Sequence, residues 1–257
     1  MSPPLHVSAE LRGLARLQRE RLGKLATTTV PKITAVMRPL RDTCRSKRPT
    51  PWLLETTARK WEEATRDEGR VRFDGPVKTD DGWRIGEWRA VPAKTQNPGW
   101  GGDDWEASIT IQRVAVLVGK HKVQTTVTAG LNVSAHALCR RVGRGGGSFA
   151  HALIDLRDVM PWAQLCRAHG YKDNLLLPTP TGFWRAVFIR LRDVDTEKSE
   201  AVPALRTWWG DAMIENRDTC AALAELRRLG PDAIGVGDAL RRAVRLLAPP
   251  AARQRAA

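Results

Sequence analysis

His136, Arg140 and Arg144 are the residues whose types and spacing best fit chemistry on a phosphate. They recur every fourth residue within Ser134-Ala135-His136-Ala137-Leu138-Cys139-Arg140-Arg141-Val142-Gly143-Arg144. In a helix each step of four turns the side chain by about 40°, so the three share one flank. Ala135, Leu138, Cys139 and Val142 cluster within about 100° on the other side and form the expected buried stripe. Histidine titrates near neutrality, and guanidinium carries a fixed charge in a planar fork. Metal-free RNA cleavage needs both kinds of group. A base or acid serves the 2′-hydroxyl and the leaving oxygen, and cations offset the charge building on the scissile phosphate. The same residues also suit a plain phosphate-binding face or a solvated flank.

The elements around this segment would have to hold it in place. Ser134 is a good N-cap. A hairpin precedes it, with strands over 108–117 and 122–128 rich in β-branched residues and a turn near Gly119-Lys120. Gly145-Gly146-Gly147 ends the helix, and a second helix is expected from Ser148 to just before Pro161. Strands follow at 175–178 and 183–191, joined by a turn over 179–182, and a last strand runs over 204–209. Alternation along that strand puts Leu205, Thr207 and Trp209 on one face and Arg206 and Trp208 on the other. An arginine beside a tryptophan on an open face would hold a phosphate and stack a base.

His136-Ala137, Arg140, Arg144 and Leu205-Arg206-Thr207 lie on a helix, two strands and a terminal strand in that order. This arrangement, over about residues 108–209, resembles the RelE/barnase-like superfamily of small ribonuclease toxins and its uncharacterised relatives. The resemblance implies a compact sheet packed on helices, with cutting residues on the sheet and an adjacent helix. It gives His136, Arg140, Arg144 and Thr207 as the candidate catalytic set.

Charge points to polyanions as partners. The chain carries 42 Lys and Arg against 28 Asp and Glu, a net charge of +14. The surplus sits in residues 1–50 and 108–209, on either side of an acidic stretch. A helix over 8–26 places Leu11, Leu14, Ala15, Leu22 and Leu25 at helical spacing, with Arg12, Arg16, Arg19 and Arg21 on its other faces. Thr27 through Pro31 should break it. A second helix over 32–45 should kink or restart at Pro39, and a third should cover 52–67. Arg12, Arg16, Arg19, Arg141, Arg206 and Trp208 form the candidate nucleic-acid-binding set. Short strands are expected around Val71–Phe73 and Trp83–Trp88, broken at Asp74-Gly75-Pro76 and Asp80-Asp81-Gly82. A loop over 95–104, helices over 213–229 and 238–247, and a basic tail complete the chain. Trp83, Trp88, Trp184 and Trp208 could stack bases, although core packing is the commoner fate of tryptophan.

Several classes fall away. No apolar run approaches the ~20 residues that span a bilayer, and no signal pattern opens the chain, so a cytoplasmic protein is expected. The four scattered cysteines suit free thiols. His136-x2-Cys139 with Cys166-x2-His169 is a poor zinc set because the gap is long and Cys139 belongs to the apolar stripe. His151 and Asp155, four apart, read as surface residues before an acid/base pair. Asp103, Asp104 and Glu106 read as solvated. Neither metal nor cofactor is assigned. The expected fold is α+β: a basic helical region over 1–68, a mixed core with an antiparallel sheet over 69–209, and a helical extension over 210–257. The expected function is binding of RNA or DNA, with metal-independent ribonuclease-like activity as its extension. The alternative is a non-catalytic structural or interaction protein of a mobile element or phage that holds nucleic acid by charge.

Overall fold

A computed structural model of the chain describes residues 9–67, 69–96, 105–120, 122–168, 175–192, 199–210 and 217–230. His169, Asp103, Asp104, the helix expected over 238–247 and the basic tail lie outside them. So does most of the 95–104 loop. The helices are α1 (Ala9–Cys44), α2 (Pro51–Ala64), α3 (Ala135–Gly145), α4 (Phe149–Ala168) and α5 (Arg217–Leu229). The strands are β1 (Arg70–Thr79), β2 (Gly82–Gln96), β3 (Trp105–Val118), β4 (Val123–Ser134), β5 (Leu175–Thr179), β6 (Gly182–Arg192) and β7 (Ser199–Gly210). They hydrogen-bond in the order β1-β2-β3-β4-β7-β6-β5, and the fold class is α+β. Pairs β1–β2, β5–β6 and β6–β7 are antiparallel, whereas β4 and β7 pair in parallel at Asn132↔Ala204 and Val133↔Leu205. No helix among the described residues is long and apolar enough to cross a membrane.

Three prolines do not break their helices as the sequence suggests. α1 runs unbroken through Pro31 and Pro39, both exposed, while Leu22, Ile33, Met37, Leu40 and Cys44 make its buried stripe. A proline on the outer face strands a carbonyl that water can satisfy, so the buried stripe on the inner face decides the outcome. The Thr27 and Thr28 hydroxyls turn back onto the carbonyls of Lys24 and Leu25 and do not open the chain. α4 likewise continues through Pro161, whose missing donor would have met the carbonyl of Arg157 on the exposed side.

The contacts divide the chain into two compact units. One comprises Leu17–Ala93 and Ile109–Ala129. Its core joins Ile33, Met37, Leu40 and Cys44 of α1 to Leu54, Ala58 and Trp61 of α2 and to Ile85, Val116 and Val118 of the sheet. α2 starts where Thr50 accepts from Leu53 N at 3.2 Å, with Pro51 in the first turn. Asp74-Gly75-Pro76 is a register shift inside β1 and not a break, whereas Asp80-Asp81 is a true turn. Gly82 closes that turn at φ +141, where an added Cβ would strike the Val118 carbonyl.

Glu87 is fully buried in this unit, accepting from Thr65 Oγ1 at 2.5 Å, with Arg89 Nη1 at 3.4 Å. Burial outweighs both partners and raises its carboxyl above the ordinary range. A raised folded pKa means that the folded state keeps its proton to higher pH than the unfolded chain. The associated stability is therefore present below the unfolded value and is lost as pH rises through the folded one. Glu87→Gln should flatten that decline. Urea midpoints of the two proteins, followed from the ordinary carboxylate range toward neutrality, should converge or cross in favour of the variant. Parallel profiles would show that Glu87 does not titrate differently on folding.

The other unit comprises Met1–Arg16, Lys94–Ser108 and Gly130–Ala257. In it α3 packs on β7 and α4, and α4 packs on β5. Leu177, Trp184, Ala186, Leu205 and Trp208 are buried on the strands, and Leu138, Leu156 and Val159 on the helices.

Candidate functional site

α3 begins where β4 ends. Ser134 is still extended, at φ −70 and ψ 150, and its hydroxyl accepts from Ala137 N at 3.0 Å. The helix is therefore tied by its first turn to a strand that pairs with β7. Ala137, Leu138, Cys139 and Arg141 are its buried residues, and Ala135 and Val142 are only half-buried. The buried stripe is thus rotated from the expected one, because a charged residue takes an inner position.

Arg141, expected as a phosphate contact, is 6% exposed. Its Nε lies 2.5 Å from Asp155 Oδ2 on α4, and its Nη1 donates to Gly146 O at 3.2 Å. Its guanidinium carbon sits 4.5 Å from the Trp208 ring centroid. Burial raises the Asp155 carboxyl, and Arg141 pulls it back down. Gly145 permits the layering, since a Cβ there would strike Arg141 and come within 2.8 Å of the Trp208 ring. Asp155 is thereby the counter-ion of Arg141. His151 instead meets Ser148, whose backbone nitrogen donates to Nδ1 at 3.3 Å.

Arg144 reaches β7. Its Nη1 donates to Trp208 O at 3.2 Å and meets Thr207 Oγ1 at 3.5 Å. Burial lowers its pKa, and the Arg140 charge lowers it further, so the two guanidiniums feel each other. Among the described residues neither arginine makes an ion pair, and the Nε of each is buried without a hydrogen-bond partner. His136 is exposed in the first turn of the same helix. Arg12 and Arg16 are exposed on α1, whose Leu11 carbonyl accepts from the Cys139 thiol at 3.4 Å. Burial raises that thiol's pKa, and the Arg12 charge opposes the rise. Cys166 is pushed up to about 12 by burial.

The structure therefore brings Arg144 together with Arg140 and Thr207, His136 precedes them by one turn on the same helix, and the Arg12 charge is felt at Cys139. Arg19 belongs to the other unit, where its Nη2 donates to Ala93 O at 3.2 Å. Trp208 is also withdrawn. Arg185 pairs with Thr207 and Ala186 with Leu205, so Arg206 is an extra residue that shifts the alternation. Trp208 then falls on the same face as Leu205 and is buried opposite Trp184. Arg206 stays half-buried at the bulge. The tryptophan platform does not form, because Trp88, Trp184 and Trp208 are buried and Trp83 is half-buried. Asp155 was missed as a structural anchor. Its place among Ala152, Leu156 and Val159 at helical spacing was the available signal.

No family model, no curated protein and no solved structure matches the chain.

Proposed function

We propose that the protein binds nucleic acid through backbone phosphates, with the Arg140/Arg144 flank of α3 at the centre of the contact and a cytoplasmic location to go with it. The contrast within one helix carries this reading. Arg141 is neutralised by a buried carboxylate, whereas Arg140 and Arg144, one turn apart, have no carboxylate among the described residues and repel each other. Two adjacent guanidiniums in a partly desolvated place are relieved by a bound oxyanion. The net charge of +14 supports a polyanion as its source.

Binding of a labelled single-stranded RNA and of a DNA duplex should weaken steeply with salt, as counterions are released. In Arg140→Gln/Arg144→Gln the slope of log affinity against log salt should drop by about 1.4 on single strands and about 1.8 on duplex. Wild-type binding indifferent to salt, or an unchanged slope in the double variant, would overturn the proposal. His136 favours a second reading of the same face. It is exposed one turn from Arg140, where an imidazole could serve a scissile phosphate held by the arginines.

A further inference from the structure

The sheet of the Leu17–Ala93 and Ile109–Ala129 unit has two unlike faces. Phe73, Trp83, Ile85, Val114, Val116 and Val118 belong to the core formed with α1 and α2. Their neighbours therefore face the other way. On that second face Arg72 pairs across the strands with Trp88, Asp74 with Gly86, and Val77 with Arg84. Arg113 on β3 joins them, placing its Nη2 3.0 Å from Asp74 Oδ2 and its guanidinium carbon 5.3 Å from the Trp88 ring centroid. Arg72 Nε lies 3.0 Å from the other oxygen of Asp74.

Two guanidiniums thus share one carboxylate, and the charge of a third, Arg84, is felt at Arg113. Arg84 makes no ion pair among the described residues, and the Nε groups of Arg84 and Arg113 are buried without a hydrogen-bond partner. Burial and the Arg84 charge both lower the Arg113 pKa, while Asp74 only partly offsets them. The floor is low because Gly86 and Ala115 lie beneath, and a Cβ on Gly86 would come within 3.0 Å of the Val114 carbonyl.

We propose that Arg72, Arg84 and Arg113 form a second oxyanion site, built to take a phosphoryl group. A single carboxylate already occupies the centre, and the remaining positive charge calls for an acceptor with several oxygens and more than one charge. Trp88 acts as a rigid seat for Arg113 and not as a stacking surface, because its ring is buried under the guanidinium. The phosphoryl group could belong to a free phosphate ester or to a polynucleotide backbone, and two probes separate these sources. The site lies in a different unit from α3, so it stands whether or not the Arg140/Arg144 face binds nucleic acid.

The test uses the full chain and Arg84→Gln, since among the described residues Arg84 makes no ion pair whose loss would unfold the protein. Pyrophosphate, at chloride-matched ionic strength, should raise the thermal midpoint of the wild type. The variant should keep its midpoint without ligand and lose most of that rise. In a parallel arm, binding of a labelled oligouridylate should weaken about three- to tenfold in the variant if the source is a polynucleotide. Loss of the pyrophosphate response with unchanged oligouridylate binding assigns the site to a free phosphate ester. Weakened oligouridylate binding, with or without loss of that response, assigns it to a polynucleotide. A variant that matches wild type with both probes, or a wild type that responds to neither, overturns the proposal.

Discussion

Arg141→Met should destabilise the protein by about 3–5 kcal/mol, because it leaves the Asp155 carboxylate buried with no partner. Arg141→Met/Asp155→Leu should recover most of that loss, since an apolar pair of similar size avoids the desolvation of two charges. The single variant carries a pH signature as well. Burial already raises the Asp155 carboxyl, and losing Arg141 removes the hydrogen bond and charge that oppose it. The folded state would then hold its proton to still higher pH. The damage should be mild in acid and grow as pH rises through the elevated folded value. Chemical denaturation of the four proteins of this cycle decides the matter. Additive losses would mean that the two side chains contribute independently and that the 2.5 Å contact does not bind α3 to α4.

The largest effect on function is expected at His136. Where the full chain is incubated with RNA in EDTA, cleavage should survive chelation in the wild type and disappear in His136→Ala. Binding should remain within about twofold, because one exposed imidazole adds little to a chain of net charge +14. Arg140→Ala and Arg144→Ala should slow cleavage by about 10- to 1000-fold through lost stabilisation of the charge on the phosphate. Lysine should not restore either, since an ammonium cannot make the two parallel bonds of a guanidinium. Cleavage in His136→Ala at the wild-type rate would remove the imidazole from the chemistry. A wild type that binds RNA without cutting it would leave phosphate binding as the whole function and favour the structural, charge-based alternative.

Features governed by a few neighbouring residues were legible in the sequence. The Ser134 cap, the start of α3 and the turn between β5 and β6 all lie close to expectation. What failed depended on distant partners. Pro31 and Pro161 look like breaks until the buried side of each helix is known. Arg141 looks solvated until Asp155 is found on another helix. Arg206 looks like one step in a regular alternation, because a bulge is a property of two strands and only one of them is visible locally. The candidate site divides along the same line. The spacing of His136, Arg140 and Arg144 is local. The burial that distinguishes Arg141 from its neighbours, and the sheet face that gathers Arg72, Arg84 and Arg113, come from tertiary pairing.

The parallel pairing of Asn132 with Ala204 and Val133 with Leu205 also governs the order in which the chain can assemble. Strands β1 to β4 follow one another in both sequence and sheet order, so their pairings close short loops. β4 must instead wait for α3, α4, β5 and β6 to be made before β7 can lie beside it. Loop closure over that length costs entropy before any contact rewards it, which slows the step relative to the hairpins. During synthesis on the ribosome, β1 to β4 emerge with α1 and α2 and can pair early, while the edge of β4 remains open until β7 arrives. The Arg140/Arg144 face takes its final shape only at that last step, since Arg144 is anchored to the carbonyl of Trp208 on the arriving strand.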